Sequence, residues 1–321
     1  MKIGIIGYGN LGRGMEQASK VFADVELVGI FTRRDPQTID SASPVYKLED
    51  LLDFKNEIDV CLLAGGSATD LISQGPEILK NFNTVDCFDT HAKIPEYFKE
   101  MNKIGLENKT LALISTGWDP GLFSINRFIA ESILPSGKTF TFWGKGVSQG
   151  HSDAVRRIEG VKDAVQYTIP NEEALSKIRS GEKLELTTRD KHIRVCYVVT
   201  DEERNQGFIE ESIKTMPNYF DEYETTVYFI SQEELNKNHK GMPHGGIVIR
   251  TGETSENMKQ GYEFKLELDS NPEFTASVAM AYARAIYRAA SEGRTGAVTV
   301  FDLPLSYLSL LNDDEIRKTY L

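Results

Sequence analysis

The first third of the chain alternates short, unbroken apolar runs with longer amphipathic segments. The apolar runs occupy residues 2–6, 25–31, 58–64, 84–88 and 111–115. Unbroken runs of this length are typical of strands buried on both faces of a parallel sheet. Helical spacing occurs between them, at 11–22, 67–80 and 94–107, with a weaker segment at 48–54. The pattern predicts an α/β fold, a doubly wound Rossmann-type parallel sheet.

Beyond Gly117 the pattern changes to alternation of apolar and polar residues, which is typical of half-buried strands. The predicted strands are 139–143, 184–188, 193–199, 225–230, 247–251 and 262–268. Helices are predicted at 153–166 and 171–179, so we expect a second α+β domain on an open mixed or antiparallel sheet. An Ala-rich helix at 275–290 is expected to pack back onto the first domain. The predicted domains are 1–118 plus 273–321, and 119–272.

A glycine-rich turn follows the first strand and opens the first helix. Its GxGxxG spacing allows a tight turn, close backbone approach to a pyrophosphate, and close packing of helix on strand. The N–H groups at the helix start attract phosphate. The candidate cofactor residues are Gly7, Tyr8, Gly9, Asn10, Leu11 and Gly12.

The second strand ends in a basic tip, Thr32, Arg33 and Arg34, where an NAD enzyme usually has an acidic residue. Arginine offers two parallel hydrogen bonds to phosphate oxygens, so the tip favours the 2′-phosphate of NADP. Asp35 follows directly and keeps NAD possible. The alternative is a solvated charge pair at a loop tip.

The third strand ends in small residues expected to form a floor under the cofactor: Gly66, Ser67, Ala68 and Thr69. The edge of a doubly wound sheet where strands end is the usual ligand crevice. Ser67 has a second interpretation, as the cap of the next helix.

Polar residues end the next two strands at the same edge. They are Asp89, Thr90 and His91, then Trp118, Asp119, Pro120 and Gly121. Two carboxylates beside a nicotinamide would hold an ammonium group and accept its proton as the neighbouring carbon loses hydride. Asp119 could instead simply initiate a turn before Pro120.

The second predicted domain carries its own polar residues. Gly146, Gly150 and Ser152 would leave N–H groups available to a carboxylate. Arg194 lies inside an otherwise apolar strand, and His244 lies in a Met-Pro-His-Gly-Gly segment. The alternative for Arg194 is a salt bridge on an edge strand.

Charge and composition narrow the function. The chain has 36 basic and 48 acidic residues, a net charge of −12, which makes nucleic acid an improbable partner. Three cysteines without a CxxC pair predict reduced thiols in a cytoplasmic protein. No stretch approaches the ~18 apolar residues of a membrane span. The five histidines show no metal-binding spacing, so no metal is expected.

Together the motifs resemble the diaminopimelate dehydrogenase family. The similarity covers nearly the whole chain and occurs in family order: IGYGNLGRG, FTRR, GGSATD, FDTH, STGWDPG, WGKGVSQGHSDAVRRI, YTIP, HIRVCYVV, PHGG and SNPEFTA. Such a match is far more specific than any one motif.

The resemblance implies NADP-dependent, reversible oxidative deamination of the D-centre of meso-2,6-diaminopimelate, in lysine biosynthesis, by a cytoplasmic homodimer that pairs through the second domain. It implies that Asp89 and Asp119 act at the reacting centre, with Asp119 the first and His151 the second candidate for proton transfer. The substrate-binding residues that it implies are Trp118, Trp143, Gln149, Gly150, His151, Asp153, Thr168, Arg194, His244 and Asn271.

Two other functions remain open from the residues. A sugar or inositol dehydrogenase of the Gfo/Idh/MocA type also joins such a cofactor domain to an open sheet, but this chain has Asp-Thr-His-Ala-Lys where those enzymes have Glu-Lys-Pro. A sensor that binds NADP(H) without turnover is the second alternative. The acidic balance and the lack of a basic helix-turn-helix segment count against a DNA-binding sensor.

Overall fold

The computed structural model describes residues 1–67, 69–182, 184–200 and 205–321. The strands are β1 (Lys2–Ile6), β2 (Glu26–Thr32), β3 (Val45–Lys47), β4 (Val60–Leu63), β5 (Asn83–Asp86), β6 (Leu111–Leu113), β7 (Gly137–Trp143), β8 (Gly146–Val147), β9 (Val161–Pro170), β10 (His192–Thr200), β11 (Glu224–Phe229), β12 (His244–Ser255), β13 (Met258–Leu268) and β14 (Gly296–Val298).

The α-helices are α1 (Asn10–Val21), α2 (Leu71–Leu79), α3 (Ile94–Asn108), α4 (Leu122–Ile133), α5 (Gln149–Arg156), α6 (Glu172–Arg179), α7 (Thr188–Lys191), α8 (Gln206–Lys214), α9 (Gln232–Asn238), α10 (Asn271–Ser291) and α11 (Asp313–Tyr320). Short 3-10 helices occupy Pro36–Thr38, Leu48–Phe54, His91–Lys93 and Leu305–Leu308. The chain divides into two compact units, Met1–Ile125 with Pro272–Leu321, and Asn126–Asn271.

The first unit is built on a parallel sheet. Within the described ranges its seven strands run in the order β14-β6-β5-β4-β1-β2-β3, and every pairing is parallel. One face carries an apolar cluster that joins β1 to α1 and α10, with Ile5, Met15 and Tyr282 at its centre. The other face packs on α2 and α3 through Leu63, Leu79 and Met101. The doubly wound fold predicted from the apolar runs is confirmed.

The second unit contains two sheets in its described part where the alternation predicts one. β11-β10-β9-β8 is mixed, because β10 pairs parallel to β11 and antiparallel to β9. β13-β12-β7 is antiparallel. Apolar clusters join the mixed sheet to α5 and α8, and the antiparallel sheet to α6. The α+β class with mixed and antiparallel sheets is confirmed.

Two predicted elements are wrong. The helix predicted at 153–166 is α5, which ends at Arg156, followed by β9. Gly160 has a φ of +85° in the turn between them, and β9 starts directly after it at Val161. The strand predicted at 184–188 is absent from the part of the chain that the structure describes. There Thr187 and Asp190 form a capping box that starts α7, and such local bonds compete with a sheet ladder.

Some further boundaries differ from the pattern. The helix predicted at 67–80 starts only at Leu71, because the carbonyl of Gly66 accepts from the backbone N–H groups of Asp70 and Leu71 in a tight turn. The weak helix at 48–54 is a 3-10 helix. The edge strands β3 and β14 have only three residues each, too short for a periodic signal. The helix predicted at 275–290 is α10, and its apolar side packs within the first unit as expected.

Candidate functional site

The glycine turn after β1 has the geometry of an anion site. Gly7 has a φ of +94°, which favours glycine, and its N–H donates to Phe31 O at 2.8 Å. A Cβ on Gly12 would lie 2.3 Å from Gly7 O, so the helix can approach the strand only with glycine there. A Cβ on Gly9 would meet nothing within 4 Å, and the first turn of α1 has no acidic residue. A phosphate can therefore approach the N–H groups that begin α1.

Tyr8, Asn10 and Leu11 complete this loop. The Tyr8 side chain is buried and its hydroxyl donates to the Glu16 carboxylate. Asn10 and Leu11 form the first turn of α1. Burial alone would raise the pKa of Glu16, but hydrogen bonds from Tyr8, Ser43 and Ser41 outweigh it and hold that pKa below its usual range. The loop is thereby fixed by a buried carboxylate that motif analysis missed.

The basic tip of β2 borders the same loop. The Arg34 guanidinium donates to the carbonyl of Tyr8, and Arg33 Nη2 lies 2.5 Å from Asp70 Oδ1. Thr32 Oγ1 accepts from the backbone N–H of Arg34 at 3.2 Å. These residues, with Gly7, Gly9 and Gly66, line a cavity of about 360 Å³.

A second cavity of about 800 Å³ is lined by the basic tip and the end of β3. Lys47 lines it together with Arg33 and Arg34, and so do the acidic residues Asp35 and Glu49; Lys47 Nζ lies 3.2 Å from Glu49 Oε1. The sequence analysis missed Lys47, since a lysine ending a three-residue strand has no motif. Asp35 Oδ1 accepts from Gln37 N at 3.0 Å and thereby caps a 3-10 turn.

The residues predicted to form a floor under the cofactor follow β4. Gly66 lines the cavity of about 360 Å³, and Thr69 follows in the turn that leads to α2. Ser67 does not cap that helix, whose N-cap position is Asp70; its Oγ instead accepts from the backbone N–H of Asp89 at 3.0 Å. Ala68 lies outside the described residues. Ser67 therefore links the floor to the acidic segment after β5.

A buried carboxylate holds together the two segments that carry Asp89 and Asp119. Asp86 Oδ1 accepts from the backbone N–H groups of Phe88 at 3.0 Å and Ser115 at 2.9 Å. Its Oδ2 accepts from the Tyr97 hydroxyl at 2.9 Å. Burial raises the pKa of Asp86 to about 6, against the lowering effect of these bonds. Asp86 was missed because an acid within an apolar strand has no motif.

Asp89 is exposed, with half-buried Thr90 and exposed His91 beside it. Trp118 is 7% exposed and packs edge-on against Phe123, with ring centroids 5.2 Å apart. A β-bridge joins Trp118 to Gly121 and closes a turn that contains Asp119 and Pro120, both half-buried. The alternative interpretation of Asp119, as a residue that initiates a turn before Pro120, agrees with this position. Both carboxylates lie in the first unit, after neighbouring strands β5 and β6.

In the second unit a cationic group is built across β9 and β10. Arg194 pairs with Thr168 in the ladder and donates to its hydroxyl. The Arg194 guanidinium lies 4.0 Å from the ring centroid of Tyr223. Arg194 is 7% exposed and forms no ion pair with any described residue, and its strand lies inside the sheet. The alternative of an edge salt bridge is therefore wrong.

Several predicted residues surround this group. His244 touches Gly146, where a Cβ would lie 2.5 Å from the imidazole Cγ, and Gly146 pairs with Thr168. The backbone N–H of Asn271 donates to Met242 O at 2.9 Å, and Gln149 Nε2 lies 2.9 Å from Met242 Sδ. These contacts bring the Met-Pro-His-Gly-Gly segment next to Thr168.

The remaining predicted residues are on α5 and β7. His151 Nδ1 lies 2.8 Å from Ser148 Oγ; burial, with the charge of Arg194, lowers the pKa of His151 to about 4. Asp153 is paired with Arg156. Exposed Gly150 leaves open space beside its Cα. Trp143 is 37% exposed and stacks on His192, a support the sequence analysis missed.

The part of the chain that the structure describes contains neither a candidate metal site nor a candidate membrane-spanning helix. Among residues 1–67, 69–182, 184–200 and 205–321, no group of three or more His, Cys, Asp and Glu could hold a metal ion. In the same ranges no helix has the length and apolar character needed to cross a bilayer.

The chain is similar to known dehydrogenases in sequence. Residues 117–270 match the family model of the diaminopimelic acid dehydrogenase C-terminal domain. A meso-diaminopimelate D-dehydrogenase from Ureibacillus thermosphaericus is 58% identical, over 100% of this chain and 99% of the relative.

Two solved structures cover 100% of this chain and 99% of their own. One is a C. glutamicum DAP dehydrogenase in complex with DAP, with a TM-score of 0.92 and 44% identity. The other is an engineered D-amino acid dehydrogenase bound to NADP⁺, with a TM-score of 0.87 and 43% identity. This chain belongs to the meso-diaminopimelate D-dehydrogenase family.

Proposed function

We propose that this chain catalyses the NADP-dependent, reversible oxidative deamination of meso-2,6-diaminopimelate at its D-centre. Substrate, NADP⁺ and water give L-2-amino-6-oxopimelate, ammonia, NADPH and a proton. The C. glutamicum relative is described in complex with DAP and the engineered relative with NADP⁺. The observation that carries the proposal is the pairing of Arg194 with Thr168, a buried cation without a carboxylate partner among the described residues, in a chain whose other unit carries Asp89 and Asp119.

The basic tip of β2 supports NADP as the cofactor. Arg33, Arg34 and Lys47 line one cavity together with Asp35 and Glu49. Arg33 is paired with Asp70 and Lys47 with Glu49, and a 2′-phosphate would bind to these three cations in place of the carboxylates. The N–H groups at the start of α1 would hold the pyrophosphate. When bound, NADP⁺ accepts a hydride from the substrate carbon at its nicotinamide.

The two ends of the substrate differ in configuration, so discrimination requires unlike binding groups. Arg194, Thr168 and His244 take the carboxylate and amine of the distal L-centre. Asp89 and Asp119 take the ammonium of the D-centre, and Trp118 and Trp143 form apolar walls. A buried polar site rejects a molecule lacking the matching group because its own donors then stay unpaired.

Proton transfer is assigned to Asp119, which deprotonates the amine or the water that attacks the imine. His151 is the second candidate. Its lowered pKa keeps the imidazole neutral at pH 7, so it is able to accept a proton but is a weak base.

A screen of cofactor reduction tests the function. We expect NADPH formation with meso-diaminopimelate and none with the LL or DD isomers or with polyols, and NADPH consumption with ammonia and the oxo acid. Asp119→Asn should lower kcat by about 100-fold or more, and Arg194→Met should mainly raise the KM for diaminopimelate. Polyol turnover with no activity on the meso isomer would indicate a Gfo/Idh/MocA-type enzyme. Tight NADP(H) binding without any turnover would indicate a sensor.

Assembly and location complete the proposal. We infer a homodimer that pairs through the second unit, in the cytoplasm. The three cysteines, Cys61, Cys87 and Cys196, are free thiols, which fits a reducing compartment. Light scattering on the eluted protein would give twice the mass of one chain, and a monomeric mass at micromolar concentration would refute the dimer.

A further inference from the structure

The side chain of a buried glutamine beside the cationic group lacks a hydrogen-bond partner in the described part of the chain. Gln166 on β9 is 0% exposed, and both its Oε1 and its Nε2 are enclosed without a hydrogen-bond partner among the described residues. An amide in such a place costs folding free energy unless it is paired in some state of the protein. Packing alone therefore does not explain why a glutamine occupies this position.

The sheet register places Gln166 next to Arg194. Gln166 pairs with Cys196 and Thr168 pairs with Arg194, so Gln166 and Arg194 are diagonal neighbours on one face of the sheet. Diagonal neighbours of this kind are within reach of long side chains. On the other side of Gln166 along this face, Ala164 and Cys196 belong to a buried apolar cluster that Ile209 of α8 covers, so Arg194 and Thr168 are its polar neighbours on β9 and β10.

Arg194 has a matching unpaired group. Its Nη1 donates to Thr168 and its guanidinium carbon lies 4.0 Å from the ring centroid of Tyr223, but its Nε is enclosed without a partner in the described part of the chain. An arginine Nε carries one proton and a glutamine Oε1 accepts up to two. The Arg194 Nε donor and the Gln166 Oε1 acceptor could therefore form one hydrogen bond, and the sheet register makes the two residues neighbours.

We propose that Gln166 is a positioning residue for Arg194. Its Oε1 accepts the Nε proton of Arg194, directly or through one enclosed water, and so sets the angle at which the guanidinium meets a substrate carboxylate. This inference rests on the proposed function, in which Arg194 binds the distal end of diaminopimelate. Gln166 would then determine affinity for the diacid without touching it.

Two variants separate positioning from packing. Gln166→Met keeps the volume and removes the acceptor; Gln166→Glu keeps an acceptor oxygen. We expect Gln166→Met to raise the KM for meso-diaminopimelate about tenfold, with kcat and the KM for NADP⁺ changed less than about twofold. Gln166→Glu should restore most of the affinity, because its carboxylate accepts the same proton.

A double-mutant cycle tests the route through Arg194. In an Arg194→Met background, Gln166→Met should change kcat/KM by less than about twofold, because the group that it positions is gone. If the two effects multiply instead, Gln166 acts independently of Arg194 and the proposal is wrong.

Val198→Ala is the matched packing control, since Val198 is fully buried on the same face of β10. It should lower the melting temperature and leave the KM unchanged. If Gln166→Met behaves in the same way, its role is structural and the inference fails. Lack of turnover of meso-diaminopimelate by the wild type would contradict the proposed function itself; an active wild type with an unchanged KM in Gln166→Met contradicts the inference alone.

Discussion

His192 Nε2 accepts the backbone N–H of Trp143 at 2.8 Å, and the two rings stack with centroids 5.4 Å apart at 25°. The acceptor role requires a neutral imidazole with its proton on Nδ1. Burial, with the charges of Arg194 and Lys191, lowers the pKa of His192 to about 3. A neutral histidine therefore supports the indole that we assign to the substrate pocket.

Removing this support should weaken substrate binding. His192→Ala leaves the Trp143 N–H without its acceptor and takes away the ring beneath the indole. We expect the KM for meso-diaminopimelate to rise about fivefold to tenfold, with the KM for NADP⁺ unchanged, because a displaced indole should lose about 1.0–1.4 kcal/mol of contact with the substrate. Steady-state kinetics measures both constants. The control is His239→Ala, which removes an imidazole stacked on Tyr197. An unchanged KM in His192→Ala would show that Trp143 does not need His192.

The same histidine should make stability depend on pH. Its folded pKa is about 3 and its unfolded value is near 6.5, so between these values the unfolded chain binds more protons. Its contribution is complete above pH 6.5 and is lost as the pH falls, by about 1.4 kcal/mol per pH unit. Urea unfolding between pH 7 and pH 4.5 should show a shallower decline for His192→Gln, and parallel curves would contradict the assignment.

Asp86 should give the opposite slope. Its folded pKa is raised to about 6, so between about pH 4 and pH 6 the folded chain binds more protons, and stability from this group falls as the pH rises through that window. Asp86→Asn keeps an acceptor oxygen for Phe88 and Ser115 and should remove this slope. Asp86→Ala leaves buried N–H groups unpaired and should cost about 2–4 kcal/mol at pH 7.

Kinetics on the Asp86 variants would show whether the two acidic segments depend on it. We expect Asp86→Ala to lower kcat and Asp86→Asn to retain it. Equal stability of the two variants across the pH range would contradict the hydrogen-bonding role of Asp86.

The cofactor preference should depend on the basic tip. Arg33→Ala with Arg34→Ala should raise the KM for NADP⁺ by about 100-fold and that for NAD⁺ by only a few-fold, since only the former has a 2′-phosphate. Lys47→Ala should give a smaller loss of the same kind. Lys80→Ala, which removes an exposed lysine paired with Glu77, is the control. An equal rise for both cofactors would refute a 2′-phosphate site here.

The sequence predicts the cofactor half of the molecule better than the other half, for physical reasons. The turn at Gly7 and Gly12 can be predicted because only glycine fits at these two positions. The buried parallel strands can be predicted because they appear as unbroken apolar runs. The pattern predicts a helix over the first part of β9, because the apolar residues there fit a helical spacing unless Gly160 is taken as a break.

Supporting residues have no local pattern. His192 and Asp86 act by accepting hydrogen bonds from backbone groups 49 and 29 residues away, so only the folded chain reveals them. Arg194 stands out in the sequence as a basic residue inside an apolar strand, whereas Thr168 follows from the resemblance alone. Their contact depends on the register of β9 and β10, which no local pattern shows.

The first unit consists of two segments that are separated in the chain by the second unit, and this affects its folding during synthesis on the ribosome. β14 and α10 complete the first unit, yet both follow the whole second unit in the chain. Until they emerge, Ile3 and Ile5 lack their covering helix and β6 keeps an unpaired edge, which is prone to join strands of other chains. The nascent protein is therefore most vulnerable to aggregation just before its last segment leaves the exit tunnel.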